Sequence, residues 1–383
     1  MKCQKELFRL PDNQHYLNCS YLSPLLRSVE KAGIDGVQGK RHPWNIKPND
    51  FFENSDIVRR EFSNLIHAGN PQQIALMPSV SYGMAAVAKN LPHKKGGEIV
   101  VAGEQFPSNV YPWMRFCKDH NCTLKIVEPP SDIKNRGERW NQRILESISD
   151  DTILVALGGV HWTDGTHFDL EQIGFLAREN NALFVIDGTQ SVGALPFDVN
   201  SIQPDALICA GYKWLMGPYG TSLGYFGERL LDGSPLEEGW IVRKNSENFG
   251  GLVDYEEEYQ PGALRFDMGE RSQFINLPMM AEALKQVNRW TPEAIQSYCK
   301  NLCSETIREL RENGFRIEDE NWRGHHMFGV RLPNHISMEK LNDKFSEHNI
   351  HVSVRGSSVR VSPHLYNDEK DVEVFREALL SLS

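Results

Sequence analysis

The chain has 383 residues, longer than one ordinary domain, and is 40% hydrophobic and 24% charged, with a net charge of −10. That composition excludes a disordered chain, and the acidic balance, with no long Lys/Arg run, gives no footprint for a nucleic-acid partner. No apolar run approaches the roughly 18 residues that span a bilayer, Met1 is followed by no apolar leader stretch, and seven cysteines without a C-x-x-C pair fit reduced thiols better than a disulfide frame or a zinc site. The expectation is a soluble, cytoplasmic α/β protein with no metal and no membrane partner.

In chain order, strands are expected at 74–77, 99–102, 124–127, 153–157, 183–186 and 207–209, and helices at 81–90, 111–120 and 170–180. In the last of these helices Leu170, Ile173, Leu176 and Ala177 recur at helical spacing. Alternation of this kind predicts a mostly parallel sheet covered by helices, with binding groups just past the carboxyl ends of the strands. Residues 231–260, with their glycines and run of acids, read as an irregular surface connection. From about 261 the texture changes. A helix starts at Thr291-Pro292-Glu293, with a cap residue and a proline at its first position, and stops at Asn313-Gly314. Strands at 328–332, 351–355 and 358–362 and helices at 338–348 and 368–380 then describe a small α+β unit. The resulting division is an N-terminal segment, 1–30, packing with the small domain, a large domain at 31–260 and a small one at 261–383.

The stretch 181–220 carries the chemistry. One apolar strand ends in Asp187 and another in Gly211-Tyr212-Lys213. A buried aspartate needs a cationic partner, and a desolvated lysine has a depressed pKa and becomes a nucleophile. Pyridoxal phosphate needs both: a lysine for its Schiff base and a carboxylate that keeps its ring nitrogen protonated, so that the ring acts as an electron sink. Taken singly, a lysine past a strand is a solvated residue and Asp-Gly a turn; the two together at this spacing point to the cofactor.

With D-G-T-Q-S at 187–191 and G-Y-K-W at 211–214, the chain resembles the class V aminotransferase-like branch of fold-type-I pyridoxal-phosphate enzymes, which includes kynureninases, cysteine desulfurases and isopenicillin-N epimerase-like proteins. The likeness runs from Tyr16-Leu17-Asn18 to the R-V-S-P-H-L-Y-N stretch at 360–367. It implies a large domain on a mostly parallel seven-stranded-type sheet, a smaller C-terminal α+β domain and a homodimer. It further implies Lys213 as the Schiff-base lysine, Asp187 at the ring nitrogen and Gln190 at the phenolic oxygen. Val80 and Ser81, at a helix start after Met77-Pro78-Ser79, are implied at the phosphate, joined by Tyr212 and by Trp240, which in relatives reaches across the dimer. Phe106 is implied as the stacking residue, Trp162 near the phenolic edge, and Arg360 with Asn18 at the substrate carboxylate. Arg355 reads instead as a solvated surface arginine and His161 as a hydrogen-bonded histidine.

Two departures stand out. Glu270 lies where the family places a phosphate-binding threonine, so that either Trp240, Arg271 or Ser272 takes over that contact or the contact is missing. The stretch 351–360 holds no cysteine, whereas desulfurases carry a nucleophilic cysteine before the terminal arginine. The resulting expectation is an enzyme that labilises a bond at Cα or Cβ of a small amino acid, as a lyase, hydrolase or epimerase and not as a persulfide-forming cysteine desulfurase. A class V aminotransferase and a non-catalytic binding protein of the same fold are the alternatives.

Overall fold

The computed structural model describes the chain except for His93, Ile133, Gly356, Ser357 and Ser383. In chain order the strands are β1 (His15–Tyr16), β2 (Ile74–Met77), β3 (Glu98–Ala102), β4 (Thr123–Val127), β5 (Thr152–Gly158), β6 (Leu183–Asp187), β7 (Ala206–Ala210), β8 (Ser222–Phe226), β9 (Phe328–Arg331), β10 (Ile350–His351), β11 (Ser353–Arg355) and β12 (Ser358–Val361). The helices are α1 (Arg27–Gly39), α2 (Glu53–Leu65), α3 (Val80–Lys89), α4 (Tyr111–His120), α5 (Arg136–Ser147), α6 (Leu170–Glu179), α7 (Val199–Ile202), α8 (Asn276–Trp290), α9 (Pro292–Glu312), α10 (Met338–Glu347) and α11 (Glu369–Leu380). Among the described residues no helix is long and apolar enough to cross a membrane.

Seven strands form one sheet in the order β2-β8-β7-β6-β5-β3-β4. The pairs from β4 to β7 are parallel, and β8 alone runs against its neighbours. β5, β6 and β7 are buried along their whole length, which is why their sequences are nearly unbroken apolar runs rather than alternating ones. This is the mostly parallel α/β architecture that the alternation implied. The chain passes outward from β3 to β4 and then back across to β5, so the order reverses between β3 and β5. Loops after these two strands part there and open a crevice at their carboxyl ends.

The second sheet, β11-β12-β9, is antiparallel. β1 pairs with β10, and Asn18 bridges to Ser362, so the first twenty residues are tied to the C-terminal elements. A buried contact of 2.8 Å between His15 Nδ1 and Asp371 Oδ1 fastens the same junction. Helix α8 packs instead on α1 and α2, and Thr291, with φ of 62° and its side chain capping Ala294 N, breaks the chain before α9.

Seven of these elements were not expected from the sequence: α1, α2, α5, α7, α8, β1 and β8. In α1 two of the three glycines that argue against a helix, Gly33 and Gly36, are contact residues. A Cβ on Gly36 would lie 2.5 Å from the carbonyl oxygen of Phe274, so the lost propensity of about 1 kcal/mol is exchanged for close approach to the segment leading into α8. Residues 231–260 are indeed irregular, with only short 3-10 turns at Trp240–Val242 and Phe249–Gly251.

Candidate active site

A cleft of about 890 Å³ opens at the carboxyl ends of β3, β5, β6 and β7. Eight of the residues singled out from the sequence line it: Val80, Ser81, Phe106, Trp162, Asp187, Gln190, Tyr212 and Lys213. Each stands where a strand stops and the chain must turn, so side chains a hundred residues apart converge.

Lys213 follows β7 after Gly211, where a Cβ would lie 2.5 Å from the carbonyl oxygen of Thr221; only glycine lets the turn fold this tightly. The amine is 9% exposed. Burial, with Arg360 beside it, pushes its pKa down to about 8, against the pull of Asp187. It has no hydrogen bond or ion pair among the described residues, and its nearest rings are Tyr212 at 5.7 Å and Phe106 at 6.0 Å. Asp187 ends β6, in register with Gly158 and Ile208. Its Oδ1 accepts the Thr189 N–H at 3.0 Å, and burial raises its pKa, so a cation placed beside it is stabilised.

The aromatic wall comes from β3 and β5. Phe106 and Trp162 meet edge to face at 5.4 Å, and the indole N–H of Trp162 donates to Glu104 O at 2.7 Å. That donor is therefore spent and cannot serve a ligand oxygen. Gln190 is also engaged: Nε2 donates to Ser20 O at 3.1 Å and Oε1 accepts from Trp214 at 3.0 Å, leaving one N–H. At the opposite end Ser79 caps α3 by accepting from Tyr82 N at 3.1 Å. Its hydroxyl lies 3.0 Å from that of Ser81, and the backbone N–H groups of the first turn of α3 have no helical acceptors.

Arg360 comes from β12. It is 2% exposed, donates to Trp162 O at 2.6 Å and lies 3.4 Å from Ser353 Oγ. Ser353 in turn donates to Asn18 Oδ1 at 2.9 Å, so Asn18 meets the arginine through a serine. The Nε of Arg360 is buried without a partner, and burial and neighbouring Arg355 both work against its charge.

Four expectations need correction or refinement. Arg355 is not a free surface residue: it is half-buried with its guanidinium over the Trp162 ring at 5.4 Å. Trp240 does not line this cleft but a second hollow with Glu238 and Tyr255, where it packs on Phe249 at 5.4 Å. Arg271 is 1% exposed and paired with Asp267 at 2.5 Å, while the Ser272 hydroxyl donates to Phe51 O at 2.6 Å, so both are committed elsewhere. His161 is buried between Thr163 Oγ1 and Gly103 O, and its pKa is pushed down to about 4 by burial; it is a neutral structural group. The sequence reading passed over Gln105, Ser108, Thr189, Tyr219 and Ser222, which also line the cleft. Thr189 was within reach, two positions past Asp187 in the same motif; the others carry no signature of their own.

The donor set fits pyridoxal phosphate. It offers an unpaired buried amine, a buried carboxylate held at a raised pKa, an aromatic face and a hydroxyl-rich helix start for the phosphate.

The family model for class V aminotransferases matches residues 49–375. Among curated proteins, the chain is 25% identical to an uncharacterized aminotransferase, YcbU, of Bacillus subtilis, over 91% of this chain and 88% of that one. It is 23% identical to a probable cysteine desulfurase of Methanothermobacter thermautotrophicus, over 84% of this chain and 82% of that one. Among solved structures, a mutant of C-DES with glycine covalently linked to its PLP cofactor superposes with a TM-score of 0.87 at 18% identity, covering 99% of this chain and 100% of that one. The expectation that set cysteine desulfuration aside is overturned by the desulfurase relatives. It rested on a missing cysteine in 351–360, of which Gly356 and Ser357 lie outside the described residues. A missing thiol there bears on how sulfur departs, not on whether a bond from Cβ to sulfur is broken.

Proposed function

Since the chain belongs to the class V aminotransferase family, whose enzymes work through pyridoxal phosphate, we propose that Lys213 holds this cofactor and that the cleft cleaves the Cβ–sulfur bond of a cysteine-type amino acid. The observation that carries the cofactor half is the placement of Lys213, a buried and unpaired amine in the same cleft as Asp187. The substrate half rests on the relative named probable cysteine desulfurase.

The bound cofactor supplies an electron sink next to the substrate's Cα. This chain's residues do the rest. Lys213 Nζ, with a pKa near 8, is neutral often enough to act as nucleophile and would be the base that takes and returns a proton at Cα. The Asp187 carboxylate stabilises a proton on the ring nitrogen. Val80 and Ser81 hold the phosphate, Phe106 covers the ring, and Arg360 grips the substrate carboxylate with Ser353 and Asn18 steadying it.

Tyr219 lines the cleft yet is 74% exposed, and Val253 and Tyr255 are 80% and 96% exposed. We read these as surfaces closed by a second copy of the chain, with Trp240 serving the partner's phosphate site; light scattering showing an active monomer would end that reading. Seven free thiols support a reducing, cytoplasmic setting.

The test is an amino-acid panel with the products measured. Sulfide together with pyruvate and ammonia from cysteine supports the proposal, as does sulfide together with alanine when a dithiol is supplied as the two-electron reductant. The relative named as an aminotransferase supports a second reading, transamination. Oxo-acid formation without sulfide selects it, and no turnover of any amino acid defeats both.

A further inference from the structure

We propose that the cleft selects amino acids bearing a second carboxylate, and that Arg355 is the residue that reads it. The inference rests on the reading of the cleft as an amino-acid site. Arg355 ends β11, and its guanidinium lies over the Trp162 ring at 5.4 Å. Its Nη1 donates to Val354 O at 2.8 Å, and its Nε is buried without a partner. On the neighbouring strand Arg360 donates to the backbone oxygen of the same Trp162 at 2.6 Å, and its Nε is likewise unpartnered. Two guanidinium groups are thus fixed to one residue, which itself lines the cleft and packs edge-on against Phe106.

Neither arginine has an ion pair among the described residues; both work against the charge of Lys213, Arg355 also works against that of Arg360, and Asp187 is the carboxylate that supports Lys213. Such an excess of positive charge is costly unless anions enter it. One α-carboxylate satisfies one guanidinium fork. The cofactor's phosphate has its own donors at the start of α3. A second anionic group on the substrate is what remains to neutralise Arg355. Stacking on Trp162 holds the guanidinium plane in place before the ligand arrives, so little freedom is lost on binding. Two other buried arginines carry a carboxylate, Arg136 with Asp164 at 2.8 Å and Arg59 with Asp267 at 2.5 Å, while buried Arg323, away from the cleft, is held by the backbone oxygens of Glu318 and Gly324.

The experiment follows the visible absorbance of the cofactor-loaded protein during titration with L-aspartate, L-glutamate and L-cystine. L-Alanine and S-methyl-L-cysteine serve as single-carboxylate probes, and the three dicarboxylates differ in reach. At least one dicarboxylate should bind about tenfold tighter than the single-carboxylate probes, the worth of one charge-assisted contact. Arg355→Gln should bring that ratio close to one, and Arg355→Lys should keep part of it. A parent that binds both classes alike, or a ratio that survives Arg355→Gln, overturns the proposal and leaves the amino-acid site standing. An absorbance that responds to no amino acid overturns both. Since the parent's ratio alone can sink the proposal, a variant that fails to fold does not shelter it.

Discussion

Two pairs of arginines in this chain each converge on one shared residue, and they are treated in opposite ways. Arg59 and Arg271 converge on Asp267, each at 2.5 Å, and the other carboxylate oxygen accepts Leu76 N–H at 2.8 Å. Arg355 and Arg360 converge on Trp162 and meet no carboxylate among the described residues. The first cluster carries its own counter-ion, and so it locks the segment after the 3-10 turn Gly262–Phe266 to helix α2 and to the edge strand β2. The second has no counter-ion, so its charge is available to a ligand. What separates these two pairs is therefore the presence of a carboxylate.

That contrast can be broken most forcefully at Asp267. Asp267→Asn leaves two buried guanidinium groups facing each other, and loss of one partner from a buried ion pair costs about 3–5 kcal/mol. Denaturant unfolding should register that loss, while the affinity for amino acids in the protein that remains folded should be unchanged. Stability within 1 kcal/mol of the parent, on the order of a surface pair, would mean that the Asp267 cluster is no lock.

The burial of Lys213, with Arg360 beside it, gives a pH signature. Its folded pKa is depressed to about 8 from 10.5. Between those values the unfolded chain holds a proton that the folded chain has released, so stability rises with pH across that window. The cofactor-free parent should therefore gain on the order of 3 kcal/mol relative to Lys213→Met between pH 8 and 10.5, with a flat difference below pH 8. A difference that falls with pH in that window contradicts the burial of an unpaired amine.

At the open cluster, Arg360→Lys keeps the charge and loses the fork. The KM for amino acids should rise about tenfold, with the resting absorbance of the bound cofactor unchanged, because the cofactor's own contacts lie on other elements. An unchanged KM with lower thermal stability would move Arg360 into the same class as Arg271.

Much of the cleft was legible in the sequence because its residues sit at the ends of apolar runs. Asp187 ends a buried strand just before Gly188, Lys213 stands past another buried strand two residues after Gly211, and Phe106 and Trp162 follow β3 and β5. The role of Arg355 was not legible. Its environment is set by Trp162, nearly two hundred residues away, and nothing local distinguishes it from a solvated arginine. Helix α1 was hidden for a related reason: Gly36 looks like a helix breaker until the close approach of Phe274 is known. β8 was hidden because five residues between glycine-rich turns carry too little pattern, and its place is fixed by pairing with β7 and β2. The spent indole N–H of Trp162 and the engaged amide of Gln190 are likewise tertiary facts.

The most direct test of the account is to locate the bound cofactor. The cofactor-loaded protein is reduced with borohydride and digested, and the peptide carrying the pyridoxyl group is identified by mass. The account predicts one modified residue, Lys213, with loss of the visible absorbance. A label on another lysine, or a cofactor that dialyses away after reduction, would contradict it.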